Sequence, residues 1–214
     1  MSRFIPEMLE PRTLMCDVHQ LELARVPTAA NFALFAADAA AAEVIAPLEV
    51  AAPTTSATPI TWSVRKSMPQ KREEGASAVL NGKLYVFGGF YDYTFNGTGR
   101  TDAYDPATNT WQQRATIPEA ITHAPALVIN GEAWLFGGYV GKDPGPATRK
   151  VYIYNPTSNQ WRRGPDMPAA RGAGAAAQVG NTVYFFGGRN LSRTYDVPET
   201  YALNLSTKTW SIKA

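Results

Sequence analysis

Residues 83–89 read KLYVFGG, residues 132–138 read EAWLFGG and residues 182–188 read TVYFFGG. Three aromatic, apolar runs, each closing on a glycine pair and starting 49 and then 50 residues apart, mark an internal repeat. Before each run stands a turn signal, Asn81-Gly82, Asn130-Gly131 or Gly180-Asn181, and before that a segment of small apolar residues: GASAVL, HAPALVI and GAGAAAQV. Apolar run, two-residue turn and apolar run spell a β-hairpin, here written three times. Glycine at the pairs Gly88-Gly89, Gly137-Gly138 and Gly187-Gly188 permits positive φ or a close backbone approach where the second strand ends.

Working outward, tryptophans recur at Trp62, Trp111, Trp161 and Trp210, at intervals of 49, 50 and 49, and the first three are followed by Met68-Pro69, Ile117-Pro118 and Met167-Pro168. Tyr104 and Tyr154 precede their tryptophans by seven residues and open the turns YDPATNTW and YNPTSNQW, while Leu203 takes that place before Trp210. This is a second hairpin per unit, so each unit carries four short strands, a to d. Residues Thr61 to Lys66 are read as a d strand preceding the first complete unit.

The joint pattern of Gly-Gly, Tyr, Trp and Met-Pro over residues 61–214 resembles the kelch repeat, whose units form four-stranded antiparallel blades of a β-propeller. The fold class expected is all-β, with three blades at about 61–118, 119–168 and 169–214. On this reading the recurrent aromatics Tyr104, Tyr154, Trp62, Trp111, Trp161 and Trp210 pack between blades, because a twisted sheet buries its faces only against its neighbours.

Propellers have about 4 to 8 blades, and three leave a ring open. Two arrangements answer the open ends: a shortened array without independent function, or two copies associated head to tail in a six-bladed ring. Both predict exposed apolar faces on a single chain.

Composition narrows the function classes. The chain has 20 Lys and Arg against 18 Asp and Glu, a net +2 that gives no bulk attraction to nucleic acid or to an anionic membrane. The lone Cys16 excludes an intrachain disulfide, and His19 and His123 are too few for an ordinary zinc site, so no metal or cofactor is expected.

Residues 1–60 hold three basic and seven acidic side chains, against seventeen and eleven in residues 61–214, and the acidic part ends in an Ala/Pro/Thr-rich linker. No conventional secretory signal is read in it, nor an apolar stretch long enough to span a membrane. LEPRTLM at residues 9–15 resembles the LEPR-XLL motif near the N-terminus of large bacterial exported proteins, Met15 replacing the final leucine. That resemblance implies a targeting leader and an extracytoplasmic or cell-surface location; the alternative is a disordered arm with a Leu-rich helical turn, and a cytoplasmic protein.

In an antiparallel blade the b–c and d–a loops share one face, and here they are the long ones. Variable loops on a rigid scaffold carry binding, so candidate binding residues are Arg72, Tyr91, Tyr93, His123, Tyr139, Arg171, Arg189, Arg193 and Tyr195. Tyr and Arg dominate protein-binding hot spots and suit carboxylate recognition. Arg72 and Arg171 repeat at one phase with Ile121 between them, which favours a structural hydrogen bond to a neighbouring blade's loop; His123 is unique to the middle unit and beside the a strand, where it could act as acid or base.

The kelch resemblance implies a binding platform for a protein or carbohydrate, and in a minority of members an enzyme. The galactose oxidase-like central domain needs two histidines, two tyrosines and a cysteine cross-link, a donor set that residues 61–214 lack. No catalytic constellation is read; the enzymatic alternative is a carbohydrate-active domain of the sialic acid mutarotase type.

Overall fold

The computed structural model describes residues 60–213, and the leader, its LEPR-XLL-like motif and its linker lie outside the described residues. These described residues form no helix and three four-stranded antiparallel sheets. The first blade is β1 (Ala76–Leu80), β2 (Lys83–Phe87), β3 (Thr101–Asp105) and β4 (Thr110–Arg114) in sequence order. The second pairs β6 (Ala126–Ile129), β7 (Glu132–Phe136), β9 (Val151–Asn155) and β10 (Gln160–Arg163), and adds a short side pair of β5 (Ile121–Thr122) with β8 (Tyr139–Val140). The third is β11 (Ala175–Val179), β12 (Thr182–Phe186), β13 (Thr200–Asn204) and β14 (Thr209–Lys213).

The innermost hairpins turn where the sequence places its Asn-Gly pairs. Both central residues are left-handed, Asn81 at φ 50° with Gly82 at 72° and Asn130 at 51° with Gly131 at 78°, the twist-compatible geometry of a two-residue hairpin.

Side-chain alternation then gives each blade a trailing and a leading face. Tyr85 and Phe87 of the first blade meet Ala133, Leu135, Tyr152 and Tyr154 of the second in one apolar cluster. Trp134, Phe136 and Ile153 of the second meet Val183, Phe185, Tyr201 and Leu203 of the third in another. The Phe87 ring stands edge-on to Trp161 at 5.4 Å, and Phe136 to Trp210 at 6.2 Å, one period on.

The tryptophans also stitch the outer edges together. Trp111 Nε1 donates to Lys66 O at 2.9 Å, Trp161 Nε1 to Ala115 O at 2.8 Å and Trp210 Nε1 to Pro165 O at 3.0 Å. Asn109 Oδ1 accepts from the same Lys66 backbone N–H and from the Tyr104 hydroxyl; Asn159 Oδ1 accepts from Ala115 N–H and the Tyr154 hydroxyl. Both asparagines are left-handed, at φ 53° and 55°, a conformation their short polar side chain tolerates. Burial pushes the Tyr154 phenol up to about 12, which keeps the proton it donates to Asn159. The third blade substitutes both members at once, Leu203 for the tyrosine and Lys208 for the asparagine, so no phenol is stranded. Asn159→Ala is therefore expected to cost about 2–3 kcal/mol, from an orphaned buried hydroxyl and a left-handed alanine, read as a lowered denaturation midpoint at unchanged slope.

One expected strand is missing. Residues 61–66 pair with no strand, and Trp62 is 93% exposed, outside the inter-blade packing expected of it. Only Trp161 and Trp210 rest on a preceding blade, against Phe87 and Phe136; Trp111 lies against Tyr104 of its own blade, and among the described residues no blade precedes Trp62 or Trp111.

Candidate functional site

On the b–c and d–a loop face each blade carries a small second tier above its glycine pair. Glu73 bridges to Phe90 and Phe90 to Gly97 in the first blade; β5 pairs with β8, and Tyr139 with Ala147, in the second; Gly172 bridges to Arg189 and Arg189 to Asp196 in the third. Two loop tips are pinned further by an Asx side chain. Asp92 accepts from the backbone and side chains of Thr94 and Asn96, bonds led by Asn96 that hold its carboxyl down at about 2. Asn190 does the same work in the third blade with Ser192 and Thr194. The long loops are thus tied down by backbone bridges, and two of them by an Asx side chain as well.

The candidate residues fall into three groups. Tyr91 and exposed Tyr93 line a cavity of about 160 Å³ with Lys71 and Phe90, the Lys71 ammonium sitting 4.0 Å from the Tyr93 ring centre. Tyr195 borders a groove of about 730 Å³ between the second and third blades, with Arg149, Lys150, Arg171 and Asn190. Arg189 is spent at the surface on Asp196, 3.0 Å away.

The third group is the one the fold concentrates. His123 Nε2 lies 2.8 Å from Glu74 Oε2, and Nδ1 is 3.0 Å from the Thr122 hydroxyl. Its ring stands edge-on to Phe90 at 5.8 Å and to Tyr139 at 5.0 Å. The Arg193 guanidinium covers the other part of this corner, 4.0 Å from the Tyr139 ring centre and ion-paired with Asp143. His123, Tyr139 and Arg193 therefore come together although 16 and 54 residues separate them along the chain (139 − 123 and 193 − 139).

Burial lowers the His123 pKa below its ordinary 6.5; Glu74 and Asp143 pull it up, and Arg193 pushes it down. A histidine whose folded pKa is depressed binds fewer protons native than unfolded just below pH 6.5. Stability from this group accordingly rises with pH through the window beneath 6.5 and is flat above it. His123→Gln is expected to flatten that part of the stability–pH curve, measured by urea titrations at stepped pH.

Arg72 and Arg171 are anchors, and their partners lie in their own blades rather than in a neighbour's loop. Arg72 bonds Asp102, Gly88 O and Arg100 O; Arg171 bonds the Tyr201 hydroxyl, Glu199 and Ala170 O. It is the Arg171 backbone that reaches across, Gly138 N–H donating to Arg171 O at 2.9 Å and Arg171 N–H to Thr148 O at 3.1 Å.

Sequence reasoning missed Glu74, Thr122, Phe90 and Asp143. A signal for Glu74 existed: it precedes His123 by one period of 49, and the residues at this phase, Glu74, His123 and Ala173, all have left-handed backbones at φ 55°, 54° and 56°. His123 N–H donates to Glu74 O and Ala173 N–H to His123 O, so the three form a backbone chain along the inner rim. Among the described residues no three His, Cys, Asp or Glu side chains gather as metal ligands, and no helix is long and apolar enough to cross a membrane.

Four-stranded blades stacked in this way, latched by tryptophan and bent at glycine pairs, define a kelch-type propeller array. Residues 72–118 and 121–168 each match the Kelch motif, so these two segments are kelch repeats. The solved structure of YjhT is similar over 72% of this chain, with a TM-score of 0.64 at 20% identity; the chain spans 55% of that one. At that identity the likeness speaks to fold alone. No curated protein matches the chain.

Proposed function

We propose that this chain is a non-catalytic binding module that engages a protein or glycan through its b–c and d–a loop face. The observation that carries this reading is the display of Tyr93, Phe95, Leu191 and Tyr195, all exposed, on loops immobilised by the second tier and by Asp92 and Asn190. Rigid aromatic anchors lose little entropy on binding, and such residues dominate interface energies. The LEPR-XLL-like segment at 9–15 supports a partner outside the cytoplasm.

An unbiased capture from a bacterial cell envelope, with a glycan array in parallel, tests the proposal. Tyr93→Ala with Tyr195→Ala is expected to weaken whatever is bound at least tenfold, about 1.4 kcal/mol or more. Binding unchanged in that double variant, or no ligand in either assay, would sink it.

One observation favours a second reading. The His123–Glu74 contact, half-buried beside Arg193, has the make-up of an acid–base pair next to an anion-binding group. On that reading the chain is a carbohydrate-active enzyme of the sialic acid mutarotase type. Anomer exchange of a sugar acid followed by proton NMR, lost in His123→Gln, supports it; exchange no faster than in buffer removes it.

A further inference from the structure

Neighbouring blades exchange the same three backbone hydrogen bonds at both internal junctions. Between the first and second, Gly89 N–H donates to Ile121 O, Ile121 N–H to Thr98 O and His123 N–H to Glu74 O, at 2.9, 3.3 and 3.0 Å. Between the second and third, Gly138 N–H donates to Arg171 O, Arg171 N–H to Thr148 O and Ala173 N–H to His123 O, at 2.9, 3.1 and 3.1 Å.

Advanced by one period, the rule pairs Gly188 N–H with the carbonyl of Arg72, Arg72 N–H with the carbonyl of Val197, and Glu74 N–H with the carbonyl of Ala173. None of these six groups has a hydrogen-bond partner among the described residues. The end of the third blade thus offers the donors and acceptors that the start of the first lacks.

The apolar faces are complementary in the same way. Phe87 and Phe136 are 1% and 0% exposed under the next blade, whereas Phe186, at their phase, is 44% exposed. On the opposite face, Val183 is 0% exposed under the preceding blade, and Leu84 at its phase is 36% exposed. A Cβ on Gly88 or Gly137 would run into a carbonyl of the next blade, Ile121 O or Arg171 O; one on Gly187 meets nothing within 4 Å among the described residues.

We propose that two copies of this chain associate head to tail, the trailing face of the third blade in each receiving the leading face of the first blade in the other. The occupant is a second copy because the open edge continues an interface this chain already makes twice, and the chain itself bears the matching edge. Two junctions and twice three blades give six, inside the range in which propellers close.

Closure requires the outermost edge to be shared. Residues 62–66 and 210–214 stand at the same phase, and the former, strandless and, among the described residues, tethered through Lys66 alone, yield that edge to β14 of the partner copy. The ring brings both copies of His123 and Glu74 around one channel.

Light scattering on the full chain after size-exclusion chromatography, over a wide concentration range, is the first test; twice the 23.3 kDa chain mass is expected. Phe186→Glu and Leu84→Arg are each expected to give single chains, because every junction then contains one damaged face. Mixing the two restores a two-chain species, joined through the undamaged Phe186 and Leu84 faces. Gly187→Ala, at a site with open space in the single chain, checks that loss of pairing is not loss of fold.

A single-chain mass for the unaltered protein at every concentration would overturn the proposal. So would a pair abolished by Phe186→Glu but untouched by Leu84→Arg, which is a symmetric contact, or a ladder of higher masses, which is an open polymer.

Discussion

Gly88→Ala and Gly137→Ala should each destabilise the folded array by on the order of 4 kcal/mol, while Gly187→Ala should cost about 1–2 kcal/mol. The three glycines occupy one phase and nearly one conformation, at φ 60°, 61° and 68°. A left-handed alanine costs roughly 1–2 kcal/mol at any of them. What differs is the surroundings. At Gly88 the new methyl would overlap Ile121 O, and at Gly137 it would overlap Arg171 O, both of which accept the hydrogen bonds that join blades. Backbone held on both sides cannot step aside as a side chain would, so overpacking adds up to about 3 kcal/mol. At Gly187 the methyl meets nothing within 4 Å among the described residues.

Guanidinium titration of the three variants checks the ordering. Equal losses would mean that the inter-blade carbonyls relax freely, and the tight junction would cease to be the reason for glycine. If the chain pairs head to tail, Gly187→Ala has a second signature: it spares the single chain's fold and abolishes the two-chain species, because the partner's Arg72 carbonyl then occupies the open space.

The blades were legible in the sequence because their signals are local or strictly periodic. An Asn-Gly turn fixes its own hairpin, and a tryptophan every 49 or 50 residues announces a surface used again and again. Contacts that join residues of different phase left no such trace. Asn109 and Asn159 read as ordinary turn residues, although their side chains hold the previous blade's backbone. Arg72 and Arg171 were recognisable as structural from repetition, yet their direction was not: the strand c partners, Asp102 and Tyr201, differ in chemistry and so show no pattern. Trp62 misled for the opposite reason, having the right residue and phase without the preceding blade that makes the motif a strand. Of the candidate site, the loop face and His123 were readable; the Glu74 contact became visible only once the left-handed rim residues lined up.

The variability of that strand c position leads to the second large effect. Arg72 and Asp102 are among the most enclosed charges in the described residues, their side chains 1% and 0% exposed, with Nη2 and Oδ2 2.5 Å apart. Arg100 reaches the same carboxylate through Nε at 2.7 Å and Nη2 at 2.9 Å. Burial drags the Arg72 pKa below its ordinary value, and Asp102 is what opposes that drag. Asp102→Ala strands a buried guanidinium, with an expected loss of about 3–5 kcal/mol.

The other blades show how the corner can be built without that charge pair. Ile121 and Tyr152 share an apolar cluster in the second, and Arg171 donates to the Tyr201 hydroxyl in the third. Asp102→Tyr, which copies the third blade, should therefore lose less than Asp102→Ala. Arg72→Ile with Asp102→Tyr, which copies the second, should return to within about 1–2 kcal/mol of the unaltered chain, since apolar replacements of buried ion pairs are often neutral. Denaturant midpoints for the three variants decide it. A double variant as unstable as Asp102→Ala would show that the first blade needs the charge itself, while a loss below about 1 kcal/mol in Asp102→Ala would show that water reaches Arg72. The outcome bears on assembly as well as on stability. The backbone N–H and C=O of Arg72 are two of the free groups at the leading edge, and its side chain, held by Asp102, fixes where they point.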